Sequence, residues 1–98
     1  MIDGAGASPG PIKRNLAIAN KRGLHARAAA KFVRTAGQYD ASVRVGFKGQ
    51  EVSGLSIMGL MMLAAGVGSA IELTCSGRQA MEAMVALSAL VEGKFGEE

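Results

Sequence analysis

The order of two apolar periodicities along this chain restricts its fold more than any other feature of the sequence. Strands with one buried face place apolar residues at every second position, whereas helices repeat them every three or four positions. Alternation or a tight Lys48-Gly49 turn predicts four strands, at residues 12–19, 41–47, 50–53 and 69–76. Helical spacing and flanking caps predict three helices, at residues 26–37, 56–65 and 78–92. The order β-α-β-β-α-β-α favours an α/β (α+β) open-faced sandwich, a four-stranded antiparallel sheet with the helices on one face.

The composition indicates one small globular domain. The chain has 98 residues, of which 49% are hydrophobic and 19% charged, enough for a single core. Residues 1–11 are small and rich in Gly and Pro, so we expect a flexible N-terminal tail. The domain is expected over residues 12–95, with a C-terminal tail at 96–98.

The sequence also indicates a cytoplasmic protein. Cys75 is the only cysteine, which excludes an internal disulfide and fits a reducing compartment. The first 11 residues lack the apolar core of a signal peptide, and the longest apolar run, residues 57–67, is shorter than the roughly 20 residues needed to span a bilayer. We therefore expect no membrane insertion.

The only histidine, His25, lies between a glycine turn and an alanine-rich predicted helix. A helix N-terminus has free backbone N–H groups and a positive dipole end, so it binds anions. A neutral imidazole is also an abundant nucleophile near neutral pH. His25 is therefore a candidate acceptor of a phosphoryl group, which the amides of Ala26, Arg27 and Ala28 would hold and the Arg27 side chain would pair with. The alternative is a histidine that only caps the helix.

Basic residues concentrate in the first part of the chain. No acidic residue lies between Asp3 and Asp40, and Arg27, Lys31 and Arg34 fall on one side of the predicted helix. Such a stripe attracts an acidic partner surface or an anion, and we count Lys31 and Arg34 as candidate docking residues. A solvated helix face is the alternative. Nucleic acid is a further one, but the chain has almost no aromatic residues for base stacking.

Other chemistries lack the residues that they need. One histidine and one distant cysteine do not make a transition-metal site, so no metal is expected. No phosphate-binding loop and no paired carboxylates stand out, so we expect no cofactor and no independent enzyme.

The short predicted helix after Ser56 is apolar on nearly every side. A domain this small cannot bury it completely, so several apolar side chains should face solvent and form an adaptable docking surface. The candidates are Ile57, Met58, Met61 and Met62. The alternative is that they complete the core. Ser56 can cap this helix or carry a regulatory phosphate.

Two motifs together resemble a known family. Asn20-Lys21-Arg22-Gly23-Leu24-His25-Ala26-Arg27 resembles the active-site motif of the histidine-containing phosphocarrier protein, HPr, of the bacterial phosphoenolpyruvate-dependent phosphotransferase system. Gly54-Leu55-Ser56-Ile57-Met58-Gly59-Leu60 resembles the regulatory-serine region of that family. The similarity extends over about residues 12–95. The ending Leu90-Val91-Glu92-Gly93-Lys94-Phe95-Gly96 and the Asn20-Lys21 turn are closer to the nitrogen-related NPr branch or to proteobacterial HPr.

The resemblance implies a carrier cycle. Enzyme I, charged by phosphoenolpyruvate, would phosphorylate His25 on Nδ1, and His25 would pass the phosphoryl group to a histidine of an enzyme IIA. Arg27 would steady the group, and Ser56 would be the site of an HPr kinase/phosphorylase. Leu24 and the apolar residues of the short helix would contact partners, and the protein would act as a monomer.

One position departs from the family pattern. Ala28 stands where the family usually has proline, which is favoured at the start of a helix and has no N–H. Ala28 retains that N–H, which adds a donor near the site or loosens the turn. The alternative to a carrier remains an HPr-like docking module that is not phosphorylated, or a small nucleic-acid-binding domain.

Overall fold

The computed structural model of the protein describes residues 10–97. Its strands are β1 (Ile12–Ala17), β2 (Ser42–Phe47), β3 (Gln50–Ser53) and β4 (Ala70–Ser76). Its helices are α1 (Ala26–Ala36), α2 (Ile57–Met62), α3 (Ala80–Glu92) and a short 3₁₀ helix (Lys94–Gly96). The predicted order of strands and α-helices is confirmed. Residues 1–9, most of the predicted N-terminal tail, lie outside the described residues, as does Glu98.

The four strands form one antiparallel sheet in the order β1-β4-β2-β3. The first and last strands of the chain are neighbours, with Ile12 opposite Cys75 and Leu16 opposite Ile71. The α-helices pack on one face of this sheet, α3 against β1 and β4 and α1 against both α2 and α3. The open-faced sandwich predicted from the sequence is therefore the observed fold.

The period-two pattern separates the two faces of the sheet. Ile71, Leu73 and Cys75 of β4 are completely buried, whereas Glu72 between them is exposed. Burial raises the pKa of the Cys75 thiol, which keeps it protonated and unreactive. The helices complete the core with Ala28, Ala29, Phe32, Ala36, Leu60, Ala80, Ala83, Met84, Leu87 and Val91.

Helix α2 is shorter than predicted. It ends at Met62, whereas the glycine at 66 predicted an end near residue 65. The chain leaves the helix at Ala64, which takes a left-handed conformation with φ of 56°. None of the helices within residues 10–97 is long and apolar enough to cross a membrane.

The C-terminal residues do not trail away from the domain as the sequence suggested. Phe95, in the 3₁₀ helix, is 1% exposed, and its carbonyl accepts a hydrogen bond from Lys31 of α1. We call residues 94–97 the C-terminal turn. Residues 96 and 97 of the predicted tail at 96–98 therefore pack against the domain.

Candidate functional site

A glycine turn sets the position of His25. Gly23 has φ of 65°, and a Cβ at this position would lie 2.5 Å from the carbonyl oxygen of Ala65. The next amide, that of Leu24, donates to the same oxygen at 3.1 Å. Only glycine fits both the backbone conformation and this close approach. The connection after α2 therefore holds the residue that precedes His25.

His25 is the N-cap residue of α1, with extended backbone angles and no capping hydrogen bond from its side chain. The first paired amide of the helix is that of Ala29, which donates to the His25 carbonyl at 2.8 Å. Within residues 10–97, the amides of Ala26, Arg27 and Ala28 have no acceptor. The positive end of an 11-residue helix is therefore open to an anion beside the imidazole.

The C-terminal turn reaches one nitrogen of the imidazole. The Oε2 atom of Glu97 lies 2.5 Å from Nε2 of His25, whose side chain is 16% exposed. The other carboxylate oxygen accepts a hydrogen bond from Nδ2 of Asn20 at 3.1 Å. Because a carboxylate only accepts, Nε2 carries the proton in this contact and Nδ1 of neutral His25 has the free lone pair. The free nitrogen is the one that the resemblance assigned to phosphorylation.

Asn20 links the glycine turn to this contact. It is fully buried, and its Nδ2 atom also donates to the carbonyl of Gly23 at 2.8 Å. The hydrogen bond from His25 lowers the pKa of Glu97, and the hydrogen bond from Asn20 and the charge of Arg22 act in the same direction against the opposing effect of burial. Glu97 is therefore ionised at neutral pH.

Three basic side chains border the site. A recess of about 290 Å³ is lined by Lys21, Arg22, His25, Arg27 and Glu97. Within the described part of the chain, none of the three cations forms a salt bridge. The recess thus combines a nucleophilic nitrogen with positive charge next to the start of α1, which suits a phosphoryl group. A larger recess lies apart from this site, beside the β2–β3 turn.

The other predicted site residues fall into three environments. Leu24 is only 5% exposed and belongs to the core, because the turn before α1 packs under the α2–β4 connection. Lys31 is half-buried and its Nζ atom donates to the carbonyl of Phe95 at 2.7 Å, whereas Arg34 is exposed. The four apolar residues of α2 predicted to face solvent, Ile57, Met58, Met61 and Met62, are exposed, Met58 to 68% and Met62 to 73%.

Leu55 joins the exposed side chains of α2 in one apolar patch, which consists of Leu55, Ile57, Met58, Met61 and Met62. Ser56 lies between Leu55 and Ile57 of this patch, and its Oγ atom accepts a hydrogen bond from the amide of Gly59 at 2.9 Å and so caps α2. The predicted cap is confirmed.

Sequence reasoning missed Asn20, Glu97 and the flanking cations Lys21 and Arg22. A buried asparagine gives no signal of its own in a turn that also contains Lys, Arg and Gly. Glu97 lies 72 positions from His25, and no local pattern connects the two. Among residues 10–97, no three His, Cys, Asp or Glu side chains are grouped to hold a metal ion.

Comparisons with known proteins agree with this geometry. A family model described as the PTS HPr component phosphorylation site matches residues 12–93. The phosphocarrier protein HPr of Cupriavidus necator is 48% identical over 86 residues, which cover 88% of this chain and 97% of that protein. The phosphocarrier protein NPr of Shewanella violacea is 41% identical over 86 residues, 88% of this chain and 94% of that protein.

Solved structures give the same result. HPr-C-His from Thermoanaerobacter tengcongensis has a TM-score of 0.85 and 41% identity, covering 89% of this chain and 98% of that one. HPr from Bacillus anthracis has a TM-score of 0.81 and 40% identity, covering 85% and 99%. The family match spans every strand and α-helix of the described fold. This chain therefore belongs to the HPr family of phosphocarrier proteins.

Proposed function

We propose that this protein is the phosphoryl carrier of a phosphoenolpyruvate-dependent phosphotransferase system. His25 accepts the phosphoryl group from phospho-enzyme I and passes it to a histidine of an enzyme IIA. The observation that carries this assignment is the His25 imidazole at the open N-terminus of α1, with Nδ1 unoccupied and three amides without acceptors. Family membership supports a carrier and gives no support to a nucleic-acid-binding or docking-only protein.

Acceptance is a displacement at phosphorus. The Nδ1 lone pair of neutral His25 attacks phosphorus, and an N–P bond forms while the bond from phosphorus to enzyme I breaks. The electron pair of the broken bond stays with enzyme I. Transfer to the enzyme IIA histidine repeats the step with His25 as the leaving group. The phosphoryl group comes from phosphoenolpyruvate, in the cytoplasm, and the protein acts as a stoichiometric carrier with no cofactor of its own.

The start of α1 stabilises the charge of the transferred group. The amides of Ala26, Arg27 and Ala28 point along the positive end of the helix, and the Arg27 guanidinium lines the same recess. Ala28 is fully buried, so the exposed donors at this end of the helix are those of Ala26 and Arg27. Lys21 and Arg22 add positive charge at the rim, which attracts phosphorylated partners.

Partner proteins dock on the apolar patch. The connection after α2 is bonded through the Ala65 carbonyl to the turn before His25, and α1 packs against α2, so the patch is fixed relative to the turn that carries His25. Exposed methionines adapt to several partner surfaces, which suits a carrier that meets both a donor and an acceptor.

Phosphorylation of Ser56 by a kinase would regulate this docking. Ser56 lies between Leu55 and Ile57 of the patch, and a phosphate adds about two negative charges there at pH 7. Ser56→Asp should therefore raise the Kd for enzyme I several-fold, with Ser42→Asp on the outer face of β2 as the matched control. Equal Kd values for both variants would contradict the regulatory role.

Intact mass after incubation with phosphoenolpyruvate and enzyme I tests the carrier function. We expect one phosphoryl adduct that mild acid removes and that is absent from His25→Ala. Circular dichroism should show that the variant remains folded, because His25 makes no capping bond. An unmodified wild-type protein, with enzyme I active towards a known HPr, would contradict the proposal.

A further inference from the structure

The C-terminal turn is built to hold one side chain against His25. Lys94 and Phe95 have φ of 60° and 55°, a left-handed conformation that non-glycine residues rarely adopt. Two contacts offset this strain: the Phe95 ring is buried in the core, and the Phe95 carbonyl accepts a hydrogen bond from Nζ of Lys31 on α1. Strained backbone that tertiary contacts hold in place is concentrated at functional sites.

The turn delivers an ionised carboxylate with both oxygens in use. One oxygen accepts from Nε2 of His25 and the other from Nδ2 of Asn20. Asn20 is buried and is also bonded to the carbonyl of Gly23, so it fixes the carboxylate relative to the turn that carries His25. The imidazole is thus held from the side opposite to Nδ1.

From these contacts we infer that Glu97 is a positioning residue for phosphoryl transfer at His25: held by the turn that Lys31 anchors, its carboxylate keeps the proton on Nε2. This inference rests on the proposed carrier function. On acceptance, the proton on Nε2 leaves the lone pair on Nδ1 free to attack phosphorus. On donation, the electron pair of the N–P bond goes to Nδ1, and the proton on Nε2 makes the leaving group a neutral imidazole rather than an imidazolate.

Lys31 acquires a different role from the one that the basic stripe suggested. Its Nζ atom is bonded to the C-terminal turn, so it acts on His25 through Glu97. A docking residue would change the KM for enzyme I, whereas a residue that acts through Glu97 changes kcat. The two roles are therefore separable by kinetics.

The experiment compares Glu97→Ala, Glu97→Gln and Lys31→Met with the wild type and with Glu72→Gln, an exposed carboxylate on the outer face of β4. Phosphoryl acceptance from phospho-enzyme I gives kcat and KM, and intact mass follows hydrolysis of the isolated phosphoprotein, in which water takes the phosphoryl group. Hydrolysis involves no partner, so it reports on the imidazole alone. Thermal unfolding checks that each variant is folded.

We expect Glu97→Ala to lower kcat and the hydrolysis rate about tenfold, with KM and Tm close to those of the wild type. For Glu97→Gln, kcat and the hydrolysis rate should lie between those of Glu97→Ala and the wild type, because the amide oxygen accepts one hydrogen bond but carries no charge. Lys31→Met should lower the same two rates, but by less than Glu97→Ala does. The double variant Lys31→Met/Glu97→Ala should be no slower than Glu97→Ala alone. Glu72→Gln should match the wild type.

Suppose that the wild-type protein is phosphorylated at His25 and that Glu97→Ala has an unchanged kcat and hydrolysis rate. This result would overturn the role of Glu97 but would still support the carrier function. A raised KM with unchanged hydrolysis would assign Glu97 to docking and would also overturn it. A wild-type protein that takes no phosphoryl group would overturn both proposals.

Discussion

Two helices of this protein begin next to a candidate phosphorylation site, and their first residues use the backbone amides differently. Ser56 caps α2, since its hydroxyl accepts a hydrogen bond from the amide of Gly59. His25 precedes α1 with the same extended backbone, but its side chain caps nothing and is bonded instead to Glu97. The amide that Ser56 uses in α2 is that of the third helical residue, and the corresponding amide in α1, that of Ala28, receives no capping bond from His25.

The difference shows that capping and anion binding compete for the same donors. A serine that caps its own helix stabilises α2 but leaves fewer amides for a phosphate. An imidazole that caps nothing costs α1 its cap and leaves the exposed amides of Ala26 and Arg27 for a transferred group. Helix length reinforces the contrast, because α1 has 11 residues and α2 has six.

The largest expected effect comes from the turn that keeps α1 open. Gly23→Ala combines a left-handed backbone with a Cβ too close to Ala65, so we expect a loss of about 3 kcal/mol in the free energy of unfolding and a large loss of phosphoryl acceptance. Gly49→Ala at the β2–β3 turn is the control, since it has positive φ and no atom nearby, and should cost about 1 kcal/mol. Urea unfolding measures both, and equal losses would mean that the close approach to Ala65 is unimportant.

Arg27→Ala tests whether the open amides act together with a side chain. Because Arg27 acts on the charge of the group in transit, we expect kcat for acceptance to fall about a hundredfold. The KM for enzyme I should change little. Arg44→Ala, on the outer face of the sheet, is the matched control and should leave both constants unchanged. Equal losses in kcat and in affinity would assign Arg27 to docking instead.

Ser56→Ala tests the other helix. Loss of the hydrogen bond to Gly59 should cost about 1 kcal/mol of stability, measured by urea unfolding. The rate at which His25 is phosphorylated should remain within about twofold of the wild type, because the α1 amides are untouched. A marked fall in that rate, with Tm lowered only slightly, would show that the start of α2 affects phosphorylation at the start of α1, and would contradict this prediction.

The smallest effect concerns the carboxylate at the α1 site. Since the folded-state pKa of Glu97 is below its ordinary value of 4.5, its contact with His25 stabilises the protein above that pH. This stabilisation is lost as the pH falls through the lowered pKa. NMR titration of the Glu97 carboxyl should give a midpoint below 4.5, and Arg22→Ala should raise it slightly by removing a favourable charge. A midpoint at or above 4.5 would contradict the contact.

Local patterns were sufficient for the sheet, for α1 and for the location of His25. Alternation placed Ile71, Leu73 and Cys75 on the buried face, and the glycine before Leu24 placed the histidine at a helix start. These predictions succeed because burial and turn geometry are encoded within a few neighbouring residues.

The parts that were missed depend on contacts distant in sequence. Helix α2 ends early because Ala64 takes a left-handed conformation, and an alanine in the sequence does not predict that conformation. Phe95 does the same in the C-terminal turn, where burial of the ring and the bond from Lys31 offset the strain. Nothing near Glu97 in the sequence indicates a partner 72 positions away.

The pairing of β1 with β4 and of His25 with Glu97 has a consequence for how the protein is made. During synthesis His25 emerges from the ribosome before β4 and Glu97, so the partner strand of β1 and the carboxylate on Nε2 become available only later. Contacts of such long sequence separation form only when the intervening chain is present. A fragment that lacks β4 and Glu97 would therefore carry the histidine without the partner strand of β1 and without the carboxylate on Nε2.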